Sequence, residues 1–205
     1  MGDLHNEVAA FTAAANWVDQ LVSQAADPDW EGPGIGDWNL RALVGHTSRA
    51  LITVEQYLAE PVDSVDLDSA EAYYEAVAGL SDANPTAVHQ RGVDAGTALG
   101  EHIPAAFHVI VERVLAIVAH AEDHPIKTIA GGMRLSNYLP TRTFELTVHG
   151  LDIAHATGQA LHAPEAAMRR ALDLAVSLSF RADRGPELLL ALTGRQDDAT
   201  GLSIF

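Results

Sequence analysis

Four polar residues of one segment, Arg142, Glu145, His149 and Asp152, have the types and the spacing to do chemistry together. At about 100° of rotation per helical residue they fall within a strip roughly 80° wide. Leu146 and Ile153 flank this strip on one side and Phe144, Val148 and Leu151 on the other, which predicts that it faces the interior of a bundle. A buried carboxylate, imidazole and guanidinium need partners, because burying an unpaired charge is costly. A carboxylate and a histidine at i and i+4 can both reach one divalent cation. The candidate for a third ligand is His46, at the edge of a stripe formed by Leu43, Ala50, Val54 and Tyr57. His46, Glu145 and His149 would make a two-histidine, one-carboxylate site with positions open for water or substrate, as catalytic sites have. Spacing alone leaves two other readings open: histidines hydrogen-bonded in a core, and a buried ion pair of Arg142 and Asp152 with Glu145, neither needing a metal.

The elements that must position these residues read as helices. Leu4, Val8, Phe11, Ala15, Val18, Leu21 and Val22 recur at three- and four-residue steps between Leu4 and Ala26, and Asp27-Pro28-Asp29 ends that segment. A glycine-rich loop at 32–36 leads to Asp37, the expected N-cap of a helix running to about Leu58. An acidic, irregular stretch over Pro61–Asp68 precedes a short helix, Ser69 to Leu80, and Asn84-Pro85 opens a long one. The run from Val93 to Ala121 keeps helical spacing throughout, with Pro104 expected as a kink. Ile126 to Met133 reads as a loop or short extended piece, and the helix that carries the four polar residues as covering about Pro140 to Thr157, with a start as early as Ser136 allowed. Pro164 opens a helix to about Asp183, and Pro186 a last short one through Thr193. No segment alternates convincingly as a strand. The expected fold is therefore all-α, a four-helix bundle with short additional helices, and residues 1–205 are expected to form a single domain.

Composition narrows the chemistry. The 205 residues include no cysteine, which excludes a disulfide framework, a cysteine-ligated metal and a thiol nucleophile belonging to the protein itself. The net charge is −16, and no Lys/Arg cluster is available to neutralise phosphates, so neither nucleic acid nor an anionic membrane is expected as partner. Residues 1–100 hold only 3 basic residues against 16 acidic ones, whereas 101–205 hold 9 and 12. The first fifteen residues lack the pattern of a secretory leader, and no run is apolar for the ~18 residues of a membrane span, so a cytoplasmic location is expected.

The phrase Arg142-x-x-Glu145-x-x-x-His149-x-x-Asp152, preceded by Tyr138-Leu139 and followed by Ala156-Thr157-Gly158, resembles the metal-binding helix of the DinB/YfiT-like superfamily. More narrowly, it is similar to the metal-binding domain of the mycothiol-dependent maleylpyruvate isomerase family. Trp38 to His46, with Leu40, Leu43 and Val44 between, resembles that family's first ligand motif, and Leu188 to Arg195 its closing segment. The resemblance implies a four-helix bundle holding a divalent metal, zinc first and nickel second, on the positions that match here, His46, Glu145 and His149. It also implies a low-molecular-weight thiol, mycothiol, as cosubstrate at the open metal position, acting on a small electrophilic molecule, and it admits a homodimer. Such a thiol would supply the sulfur that a cysteine-free chain lacks. Arg142 would then pair with Asp152, or contact a carboxylate substrate, as residues that support the ligands. Thr47 stands where the family commonly has an aliphatic residue, and the established isomerases of the family carry a further C-terminal domain.

Three functions compete: a metal-dependent enzyme that transfers a small thiol, in the manner of a thiol S-transferase or isomerase; a metal-dependent hydrolase; and a non-catalytic metal-binding bundle. Other features read as structure. His120 and His124 are expected to face solvent near a helix end, His102 and His108 do not share a face, and His155 and His162 are surface residues. Asp63, Asp66, Asp68 and Glu71 miss the spacing of a calcium loop, and Gly32, Gly34 and Gly36 follow no strand and so make no phosphate loop. Trp30 and Trp38 are expected in the core or in the wall of the site.

Overall fold

The structure is a computed structural model that describes residues 3–26, 28–80 and 84–195; Asp27, one of the expected helix stops, lies outside them. Among the described residues the chain forms eight helices and one hairpin: α1 (Leu4–Gln24), α2 (Leu40–Leu58), α3 (Ala70–Ala78), α4 (Pro85–Ala98), α5 (Ile103–Val118), β1 (Pro125–Thr128), β2 (Gly131–Arg134), α6 (Leu135–Ala156), α7 (Glu165–Arg181) and α8 (Gly185–Leu192). The largely helical reading holds, and none of these helices is long and apolar enough to cross a membrane.

Helix α1 lies against α5, α6 and α7, and α2 against α4, α5 and α6. The apolar stripes read from the sequence meet there. Phe11, Val18, Leu43, Leu51, Ile103, Phe107, Leu146 and Ile153 are all fully buried in one core. A smaller cluster of Ala70, Phe144, Ala171, Leu174 and Leu178 joins α6 to α7 and the start of α3. Helices α2 and α4 touch backbone to backbone: a Cβ on Gly45 would stand 2.1 Å from the amide nitrogen of Gly96, so only glycine allows this crossing one residue before His46.

Several boundaries differ from expectation for identifiable reasons. Asn39, not Asp37, caps α2, its side chain accepting a 2.8 Å bond from Ala42 N–H, because the loop folds back through the Pro33 and Asn39 bridge. Pro104 does not kink a long helix. Gly100 turns the chain with φ of +70°, α4 ends, and Pro104 occupies the first turn of a new helix, where its missing N–H costs nothing. The apolar periodicity runs through the break because Leu99 and Ile103 enter the same core from both sides of it.

The extended piece at 126–133 is an antiparallel hairpin pairing Pro125 with Arg134 and Thr128 with Gly131, which corrects the expectation of no strand. The acidic stretch before α3 is bound to this hairpin: Asp66 N–H donates to Gly132 O at 2.7 Å, and Gly132 N–H donates to the Asp66 carboxylate at 2.7 Å. The hairpin hands the chain directly to α6. That helix starts at Leu135, since Asp123 accepts 2.9 Å bonds from both the backbone and the hydroxyl of Ser136 and so satisfies free N–H groups of its first turn. Pro140 therefore sits inside α6 rather than at its start.

Candidate metal centre

Helices α2 and α6 run antiparallel, with Tyr138 donating to Thr53 Oγ1 at 3.0 Å at one level and the rings of His46 and His149 meeting 4.9 Å apart at another. Glu145 lies one turn from His149 on the same face of α6. His46, Glu145 and His149 each bring one ligand atom to within 4.8 Å of the others, the single group of this kind among the described residues. The side chains of Glu145 and His149 keep 24% and 16% of their surface accessible, so a small molecule can reach them. Trp38, at the end of the glycine-rich loop, forms a wall: its ring is 4.5 Å from that of His46 and 6.4 Å from that of His149, and its indole N–H donates to His89 O at 3.1 Å.

Hydrogen bonds fix the orientation of the group. Tyr74, from α3, donates to Glu145 Oε1 at 2.7 Å. Glu145 Oε2 is 3.3 Å from His149 Nε2, and the other ring nitrogen, Nδ1, is 3.1 Å from Asp152 Oδ2. His149 thus lies between two carboxylates. Burial alone would lower its pKa, but the bonds to Asp152 and Glu145 outweigh that and raise it to about 9. Burial would raise the Glu145 pKa, yet His149 and the nearby Arg142 hold it at about 2. Burial and the charge of His149 lower His46 to about 4, so its imidazole is neutral at pH 7. Burial and the charge of Glu145 push Tyr74 well above its usual range, which keeps its hydroxyl a donor.

The residues present fit a divalent cation. His46 Nδ1 is buried and has no hydrogen-bond partner, an arrangement that a neutral imidazole otherwise avoids. Two imidazoles and one carboxylate converge, and Asp152 behind His149 is the outer carboxylate that commonly orients a ligating histidine.

Arg142 and Asp152 do not pair. Ten residues of helix separate them by about 15 Å along the axis, and each has its own partners. The Arg142 guanidinium lies 5.0 Å from the ring centre of Tyr138 and 5.5 Å from that of Tyr73, and its Nε donates to Thr141 Oγ1. Val148, expected on the buried flank, is exposed. Tyr74 escaped the sequence reading, since its helix is short and its contact with Glu145 spans 71 positions. His89 stacks on the outer side of Trp38, with ring centres 6.2 Å apart, whereas His102, His120, His155 and His162 are exposed, His124 is half-buried, and His108 pairs with Asp19 at 2.7 Å.

A family model described as the mycothiol maleylpyruvate isomerase N-terminal domain matches residues 11–154. That span contains His46, Glu145 and His149, whereas the Leu188–Arg195 segment lies beyond it. No curated protein and no solved structure matches the chain. With the match covering more than half of its 205 residues, the chain belongs to the mycothiol maleylpyruvate isomerase N-terminal domain family.

Proposed function

We propose that this protein is a divalent-metal-dependent enzyme that activates a small thiol, mycothiol or a close relative, for transfer to an electrophilic small molecule. The observation that carries the reading is the orphaned, buried Nδ1 of His46 in a two-histidine, one-carboxylate group, within a family named for mycothiol chemistry. His46, Glu145 and His149 would hold the ion, zinc first and nickel second. When bound, such an ion supplies Lewis acidity and lowers the pKa of a thiol presented to it.

The rest is done by the chain's own side chains. Asp152 holds His149 through Nδ1 and turns Nε2 toward Glu145. Tyr74 fixes one oxygen of Glu145, leaving the other for the shared centre. Trp38 shields His46 on one side and reduces the access of water. Arg142, held among tyrosines, contributes positive charge close to Glu145. Arg142 and Asp152 are supporting residues in this reading, the first by its charge and the second by orienting a ligand.

The same reading takes residues 1–205 as one domain with a four-helix bundle of α1, α2, α5 and α6, supported by the contacts of α1 and α2 with both α5 and α6. It extends to a cytoplasmic homodimer without nucleic-acid partners.

Turnover of an electrophile by the metal-loaded protein, with and without mycothiol, tests the function. Thiol-dependent turnover is expected. Metal-loaded protein with no thiol dependence would overturn it, and hydrolysis of an ester or amide without thiol would establish the hydrolase in its place.

A further inference from the structure

One helical turn beyond the candidate metal centre, two guanidiniums form no ion pair among the described residues. Arg49 follows His46 by three residues on α2, and Arg142 precedes Glu145 by three on α6. In the antiparallel pair both therefore stand on the side of the centre toward Thr53 and Tyr138, each about 4.5 Å along its axis from a candidate ligand residue. Both are half-buried, and the charges of both reach His46. Arg49 makes no hydrogen bond among the described residues either, although 16 acidic residues share the first hundred positions with it. Arg142 donates from Nε to Thr141 Oγ1 and rests on the rings of Tyr73 and Tyr138, but its terminal nitrogens bond to nothing among the described residues. Those rings supply no charge, since burial raises the pKa of both tyrosines and keeps them neutral. Glu145 is taken up by Tyr74 and His149. Burial and the charge of Arg91 lower the pKa of Arg49, as befits a cation short of anions.

We infer that Arg49 and Arg142 form an anion site that holds a carboxylate of the small electrophile beside the metal centre. A guanidinium presents a planar fork of N–H donors that matches the edge of a carboxylate, and two such forks with unused donors face one region here. Tyr57, half-buried beside Tyr138 and within the electrostatic reach of Arg49, makes no hydrogen bond among the described residues and offers a further donor. A carboxylate held there anchors one end of a small molecule a helical turn from Glu145 and His149, which leaves the rest of its carbon skeleton to reach the centre in a fixed orientation. That the ligand is the electrophile rests on the thiol-transfer reading. The guanidinium pair itself binds an anion with neither metal nor thiol present, so the two can fail separately.

Titration of the metal-free full chain with propionate at constant ionic strength, followed by amide NMR, tests the inference against the uncharged propionamide. The expected result is saturable shifts around Arg49 and Arg142, absent with the amide. Arg49→Gln and Arg142→Gln are each expected to weaken propionate binding about tenfold, the effect of losing a hydrogen bond between charged groups. Arg49→Lys, which keeps the charge and loses the fork, is expected to weaken it about threefold. Should Arg142→Gln fail to fold, the two Arg49 variants carry the test, since the Arg49 side chain bonds to no other described residue. Equal shifts with propionamide, shifts confined to other parts of the chain, no saturable binding, or unchanged affinity in Arg49→Gln would each overturn it.

Discussion

Two places among the described residues bury ionisable groups and resolve the burial in opposite ways. At the α2–α6 centre, His149 is shared between Glu145 and Asp152, Tyr74 completes Glu145, and the atom left without a partner is an imidazole nitrogen of His46. Between α1 and α7, Glu7 is paired with Arg170, and the atom left over is a carboxylate oxygen. A free imidazole nitrogen among other ligand atoms suits a metal ion. A buried carboxylate oxygen beside a single guanidinium belongs to a structural ion pair. The type of the leftover atom and the spacing of its neighbours therefore distinguish a candidate ligand site from a structural pair better than burial does.

Breaking each pair should expose this contrast, and the largest effect on stability is expected at the second place. Glu7→Ala leaves Arg170 without its carboxylate and removes a buried side chain, and is expected to cost about 2–3 kcal/mol. That is less than for a fully buried pair, because Arg170 is one-third exposed. Chemical denaturation measures it, and a loss below about 0.5 kcal/mol would show that the pair contributes nothing. At the proposed metal centre the second carboxylate, Asp152, is expected to act through orientation instead. Asp152→Asn should leave the fold intact and weaken metal affinity about 10- to 100-fold, as loss of an outer-shell carboxylate does. Competition with a chromogenic chelator reads this directly. The smallest effect is expected for Tyr74→Phe, which removes one hydrogen bond to Glu145 and should cost about 1 kcal/mol of metal affinity, a severalfold change in the same assay.

The candidate group of His46, Glu145 and His149 was legible in the sequence because it depends on local repeats. Glu145 and His149 are one turn apart, and His46 lies on the edge of an apolar stripe that had to face them. The proposed partnership of Arg142 and Asp152 failed for a geometric reason: a helical projection keeps the angle between residues and discards the height, and these two differ by about 15 Å in height. Tyr74 belongs to another helix and to a contact 71 positions long, which no spacing rule reaches. The helix break at Gly100 was hidden because the apolar stripe continues across it, and only the left-handed backbone of that glycine separates α4 from α5. The hairpin before α6 was obscured by its shortness, four residues a strand, and by the two glycines that open β2.

The central claim is that His46, Glu145 and His149 hold a divalent ion. Metal content of the purified, folded chain, measured for the natural sequence and for His149→Ala and Glu145→Ala with helical content monitored by circular dichroism, tests it most directly. About one ion per chain is expected, lost in both variants while the helices persist. A natural chain that binds no divalent ion, or variants that retain it, would contradict the claim.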